Sequence, residues 1–252
     1  MTIDKLVSFA QMAEDVVLWR ALKHRDAGFF VDVGAHHPVG SSVTKIFSNA
    51  GWRGINIDPI QSLIDLFAVD RPNDINLAVG ISNEPGFLKF FDVENDQQRS
   101  TFDQTLGNHY KANGFPVIER SIPVISLNEV FERHVNGPVD FLKVDAEGHE
   151  ASVLLSLDFK RWRPHVVIVE APLNQPRGWL CILENAGYTQ ALFDGLNRFY
   201  VAAEHRAELG ELLSYPACSN DHFVSYDHLL EVNELKREIA RLNGVLEGVT
   251  AK

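Results

Sequence analysis

Residues 29–59 read FFVDVGAHHPVGSSVTKIFSNAGWRGINIDP. The apolar run at 29–33 is interrupted only by Asp32 and stops at Gly34. A helix-compatible segment runs from Ser41 or Ser42 to Ala50, with Gly51 as its stop. A second apolar strand, 54–58, ends on an acid, Asp58. Strand, glycine turn, helix and a strand with a terminal carboxylate make half of a Rossmann unit, which holds an adenosine-containing small molecule. Asp58 follows Gly34 at the spacing where a carboxylate accepts both ribose hydroxyls. Gly34 is expected to permit close backbone approach to the ligand. Asp32 is placed either to hold N–H groups of the loop or to reach an ammonium group on the ligand.

Ahead of this unit, residues 4–24 carry helical periodicity, with Leu6, Phe9, Met12, Val16, Val17 and Trp19 broadly on one side. Residues 1–26 therefore read as an N-terminal helical element before a main domain at 27–228. Behind the unit, 60–68 is helical, and 75–80 and 86–91 are strands. Residues 92–120 are polar with isolated aromatics, Phe102, Tyr110 and Phe115, and are expected to form a lid or substrate loop. A short strand at 121–125 precedes a helix at 127–134, capped by Ser126 with Glu129 in capping-box position. Residues 139–144 form a buried strand ending at Asp145, a helix starts at 148–156, and VVIVE at 166–170 is another buried strand. The helix at 178–186 is stopped by Gly187. Runs at 189–193 and 198–202 flank the turn Asp-Gly-Leu-Asn and predict a β-hairpin. The expected fold is α/β: a mostly parallel, Rossmann-like sheet with one antiparallel edge pair. A dinucleotide dehydrogenase more often continues into a parallel second half.

Residues 229–252 read as a coiled-coil-like helix. Val232, Leu235, Ile239, Leu242, Leu246 and Val249 step by three and four, a heptad seam. So short a helix is marginal alone, so it is expected to form a homo-oligomer, pack back on the domain, or link to a further one, the chain being then a fragment of a longer protein.

The 252 residues, 45% of them apolar, supply an ordinary globular core. A net charge of −11 excludes a nucleic-acid phosphate surface and an anionic lipid surface as partners. Cys181 and Cys218 have neither zinc spacing nor the pattern of a disulfide framework, which fits a reducing compartment. No run approaches the roughly 20 apolar residues of a membrane span. Acids interrupt the N-terminus where a signal peptide is apolar, and a cytoplasmic location is expected.

Three strand ends carry acids, Asp58, Asp145 and Glu170, and in an open parallel sheet these ends share the ligand-binding edge. Taken in order, VDVGAHHPVGSSVT, GWRGINIDP, NLAVG, FLKVDAEGHE and VVIVEA resemble the FkbM-type S-adenosylmethionine-dependent methyltransferases. SFAQMAEDVVLWRAL resembles the Gln-x-x-Glu-Asp element ahead of that family's first strand. The similarity spans about residues 8–202, and FLKVDAEGHE is its most specific piece. The resemblance implies a class I methyltransferase sheet, S-adenosylmethionine as donor, and O-methylation of a sugar or polyketide hydroxyl, for instance on the terminal sugar of a surface polysaccharide. It places Gln11, Glu14, Asp15, Asp32, Gly34, Ala35, His36 and Asp58 at the donor. His36 and Pro38 stand where a glycine-rich loop has glycines. The adjacent His36 and His37 lack the other ligands of a zinc site.

A sugar hydroxyl is a poor nucleophile until its proton is removed. His149 has a suitable intrinsic pKa for the base, with Asp145 or Glu147 as its orienter. Each also has a structural reading: Asp145 as a helix cap, Glu147 as a first-turn acid, His149 as a solvent-facing residue. A rival mechanism uses Asp145 and Glu170 as oxygen ligands for Mg²⁺. Asn197 and Arg198, at the hairpin tip, with Glu170, are candidates for the acceptor pocket, or turn chemistry alone. Trp52 and Trp179 sit in apolar patterns and read as core. Two other functions stay open: an NAD-dependent oxidoreductase, and a non-catalytic coiled-coil adaptor with a degenerate Rossmann domain.

Overall fold

The computed structural model describes residues 5–172 and 178–250, with side chains described outside 244–250. Residues 1–4 of the expected N-terminal element, the last two residues of the chain, and the side chains of Leu246 and Val249 lie outside the described residues.

In chain order the first elements are β1 (Leu6–Ser8), α1 (Glu14–Leu22), β2 (Phe29–Val33), α2 (Lys45–Asn49), β3 (Arg53–Ile57), α3 (Gln61–Asp70) and β4 (Ile75–Leu77). An excursion follows: β5 (Gly80–Ile81), β6 (Gly86–Val93), α4 (Gln104–Ala112) and β7 (Val117–Ile125). The chain then forms α5 (Leu127–His134), β8 (Phe141–Val144), α6 (Glu150–Leu155), β9 (Val166–Glu170) and α7 (Leu180–Asn185). It closes with β10 (Tyr188–Phe193), β11 (Asn197–Ala202), α8 (Arg206–Leu209), β12 (Phe223–Ser225) and α9 (Tyr226–Thr250).

The central sheet has seven strands in the order β10-β11-β9-β8-β2-β3-β4. Only β11 runs antiparallel to its neighbours β9 and β10. The hairpin's return strand thus inserts beside β9, leaving β10 at the edge. All six residues of β11 are buried, which is why its run FYVA is apolar on both faces, after Asn197 and Arg198. The chain leaves the middle of the sheet in opposite directions from β2 and β8, so the crevice at their C-terminal ends is the topological switch point.

Side chains alternate across the pleat, and this splits the core in two. Val31, Val33, Ile55, Leu142, Val144 and Val167 pack under α5, α6 and α7. Phe30, Phe141, Val166 and Ile168 pack with α1 and α2 on the other face, joined by Phe47 and Trp52. Trp52 and Trp179 are both buried. The Ser126 cap on α5 forms, with Ser126 Oγ accepting from Glu129 N at 3.1 Å.

Three expectations change. The helix read over 4–24 begins only at Glu14, because Leu6–Ser8 pairs as a parallel strand with β12 from the far end of the chain. The Asp15 carboxylate accepts from Ser8 Oγ and Phe9 N, both at 2.7 Å, and turns the segment before the helix starts. The strand read at 75–80 is split: β4 belongs to the main sheet and β5 to a separate one, β5-β7-β6. Residues 92–120 are not one continuous loop. β6 continues to Val93, a 3-10 turn spans Gln97–Arg99, α4 follows, and β7 pairs along the whole of β6.

Phe47 lies 4.8 Å from both Trp52 and Phe141, ring centre to ring centre, and is fully buried. Phe47→Ala should therefore destabilise the protein by about 3–5 kcal/mol, measured by chemical denaturation.

Candidate active site

A cavity of about 290 Å³ opens at the switch point, over the C-terminal ends of β2, β3, β8 and β9. Its floor comes from Gly34, Ala35, Asp58, Lys143 and Asp145, and its far wall from the excursion, through Phe90, Gln97, Gln98 and Phe102.

Lys143 organises the floor. The strand FLKV is buried along its length, and Lys143 is 6% exposed. Its Nζ lies 3.0 Å from Asp145 Oδ2 and 3.7 Å from Asp32 Oδ1. Burial opposes its charge, but Asp145, Asp32 and Glu170 together push the ammonium pKa above its ordinary value. Burial equally opposes ionisation of Asp145, yet Lys143 and a hydrogen bond from Glu170 hold its carboxyl below the usual range. Glu170, buried and beside that charge, is pushed well above the usual range; it keeps its proton and donates a hydrogen bond to Asp145. Asp145, Glu147 and Glu170 place one oxygen each within 4.8 Å of one another.

The turn after β8 follows from its sequence. Glu150 Oε1 accepts from Gly148 N at 2.9 Å and Ala146 N at 3.2 Å, closing the loop onto the start of α6. That closure holds Glu147 at φ 48 and Gly148 at φ 95. Burial, then the charges of Asp145 and Glu150, raise the Glu147 pKa to about 8. Thr101 Oγ1 donates to the Glu147 carbonyl at 2.6 Å and ties the excursion to this turn.

The loop after β2 is built without the glycines expected of a glycine-rich loop. His37 Nδ1 accepts from Val39 N at 3.1 Å and Gly40 N at 3.0 Å. Arg71, 3% exposed, donates to Thr44 Oγ1 at 2.7 Å, Ser42 Oγ at 2.8 Å and Pro38 O at 2.5 Å. Asp58 accepts from His36 N at 3.0 Å and Ile60 N at 2.9 Å, one on each oxygen. Gly34 is required for a reason other than ligand approach: a Cβ there would lie 1.7 Å from the carbonyl oxygen of Asp145.

A model of the methyltransferase FkbM domain matches residues 32–233. The chain belongs to the FkbM methyltransferase family. It is similar in fold to a solved precorrin-6y C5,15-methyltransferase from Geobacter metallireducens GS-15, at 15% identity, over 75% of this chain and 77% of that one, with a TM-score of 0.39. No curated protein sequence matches it. The FkbM domain has the class I methyltransferase sheet described above and uses S-adenosylmethionine, which displaces the oxidoreductase reading.

The residues fit that donor. Each Asp58 oxygen carries one backbone hydrogen bond and keeps a lone pair toward the cavity, where ribose hydroxyls can donate. Gln11, Glu14, Gly34, Ala35 and His36 also line the cavity, as do Glu147, His149, Glu170 and Asn197. Asp15, Asp32 and Arg198 are not among its lining residues. Asp15 is spent on the turn before α1. Asp32 accepts from Thr44 Oγ1 at 3.1 Å and faces Lys143, so it supports the loop from below. Arg198 donates to Gln190 Oε1 at 2.8 Å and lies over the Phe193 ring.

Neither Asp145 nor Glu147 hydrogen-bonds the His149 ring. His149 instead packs on Phe102, with centroids 5.4 Å apart, and its buried Nε2 has no partner. Burial lowers its pKa, which keeps the ring neutral. Magnesium fits the carboxylate group poorly, because Lys143 already supplies the cation beside Asp145. Lys143 and Arg71 had no assigned role in the sequence, although a lysine inside an apolar strand is a signal in itself.

A carboxyl with a raised folded-state pKa binds its proton more tightly in the native than in the unfolded protein. For Glu147, shifted from 4.5 to about 8, the resulting stability is fully present below pH 4.5 and is lost as pH rises to about 8. Thermal unfolding of the ligand-free protein should show Tm falling across this window, and Glu147→Gln should flatten the fall.

Proposed function

We propose that the protein transfers a methyl group from S-adenosylmethionine to a hydroxyl of a neutral sugar, such as the terminal residue of a surface polysaccharide, in the cytoplasm. The observation that carries this reading is the convergence of Asp58, Asp145 and Glu170 on one cavity whose opposite wall carries amides and aromatic rings beside Asp96, Arg99 and Ser100. Amides and ring faces suit a polyol. Lys143 and Arg99 are balanced by Asp96 and Asp145 around the same space, which leaves no basic excess to draw an acceptor carrying carboxylate or phosphate.

When bound, S-adenosylmethionine supplies an electrophilic methyl group on a sulfonium centre. Asp58 holds the ribose, and Gln11 and Glu14 close the donor end of the cavity. Asp145, kept ionised by Lys143, orients the acceptor hydroxyl. His149, on the cavity wall, would take the proton that the hydroxyl loses as it accepts the methyl group. Glu147, with a pKa raised to about 8, is the second candidate for the same proton. Asn197, paired across the strands with Glu170, lies toward the acceptor.

Calorimetry with S-adenosylhomocysteine should show binding to the wild type and none to Asp58→Ala. Absence of wild-type binding at millimolar ligand would sink the methyltransferase reading and favour the adaptor.

With labelled donor and a panel of sugars and glycans, neutral acceptors should be methylated and turnover should be indifferent to EDTA. His149→Ala should lower kcat by about 10²–10⁴-fold with donor affinity intact. Unchanged turnover would move the base to Glu147, tested by Glu147→Gln.

A further inference from the structure

The helix α9 leaves the domain from a fixed root. β12 pairs with β1, the Tyr226 ring sits 5.1 Å from that of Phe9, and Ser225 Oγ accepts from His228 N at 3.2 Å. Beyond the root the helix is bare. Every described side chain from Asn233 to Asn243 is exposed, including Leu235 at 64%, Ile239 at 57% and Leu242 at 46%. This part of the helix therefore does not pack back on the domain. A helix draws most of its stability from packing an apolar face, and among the described residues nothing packs on this stretch.

We propose that α9 is one strand of a parallel, two-stranded coiled coil formed with a second copy of this chain, in the register that sets Glu231 against Lys236 of the other copy. The seam assigns Val232, Ile239 and Leu246 to heptad position a, and Leu235, Leu242 and Val249 to position d. β-branched residues at a with leucine at d favour two parallel strands over higher orders. Here Val232 and Ile239 stand at a, and Leu235 and Leu242 at d.

The flanking charges choose the direction. Glu231 and Glu238 fall at position g, Lys236 and Asn243 at position e. Parallel strands set each g residue against the e residue of the following heptad, which gives Glu231 with Lys236 and Glu238 with Asn243, with no like-charge contact. Antiparallel strands set g against g and bring these glutamates together. Among the described residues Lys236 has no ion-pair partner within its own chain, so it is free for this contact. A membrane surface is a poorer occupant of the same face. Glu231, Glu234 and Glu238 balance Lys236, Arg237 and Arg241, which leaves no basic excess for anionic lipid.

Sedimentation equilibrium of the full chain near 100 µM tests the proposal, with the expected result a dimer. Leu235→Asp combined with Ile239→Asp should give a monomer whose affinity for S-adenosylhomocysteine is unchanged. Glu231→Lys and Lys236→Glu should each weaken association by about fivefold or more, since each reversal spoils two symmetry-related contacts, and the double swap should restore it. A wild-type monomer or higher oligomer, a dimer that survives the aspartate pair, or a double swap that stays weak would each overturn it. Binding of the wild-type monomer to anionic vesicles would hand the apolar face to lipid instead.

Discussion

One buried ammonium group sets the electrostatics of this site. Lys143 sits where the two strands that define the switch point end, between Asp32 on one and Asp145 just beyond the other. A lone charge in that position would be costly to bury, and so would either carboxylate. Together they share the burden. Removing one partner of such a pair typically costs about 3–5 kcal/mol because the other charge is left behind. The consequence reaches outward: with Asp145 held ionised, Glu170 keeps its proton and the Glu147 pKa climbs. In one small space Asp145 thus stays ionised while Glu147 and Glu170 hold their protons more tightly.

The second constraint is the loop between β2 and α2. A glycine-rich loop satisfies its ligand with bare backbone and leaves little to hold the loop itself. This chain places His36, His37 and Pro38 there and supports them from behind. Arg71 at the end of α3 binds Pro38, Ser42 and Thr44, while His37 accepts two backbone N–H groups of its own loop. The departure from the glycine pattern is therefore compensated by a buried network. Gly34 remains because the backbone of Asp145 passes directly over it.

Much of the fold was legible in order and type. Buried parallel strands announce themselves as apolar runs, and Asp58, Asp145 and Glu170 mark their ends. Legibility failed where pairing was distant. Leu6 to Ser8 has a helical pattern by periodicity, but its partner Phe223–Ser225 lies at the other end of the chain. The polar stretch after Phe91 looked like a loop because β6 and β7 form a separate small sheet with much of its surface in water, so their sequences lack the apolar signature of the core. Within the site, the cavity collected most of the named residues. It left out Asp15, Asp32 and Arg198, whose side chains are engaged by neighbours that spacing alone does not reveal.

The sequence by itself determined the α/β class, the strands of the central sheet and the family, because each rests on local patterns of burial and on short motifs. Only the tertiary structure decided that Lys143 joins Asp32 and Asp145, that Arg71 supports the loop, that the 92–120 segment walls the cavity, and that His149 rests on Phe102 with no carboxylate partner. Apart from Lys143 with Asp145, these are contacts between residues tens of positions or more apart, and their energies depend on distance and burial, which no local pattern encodes.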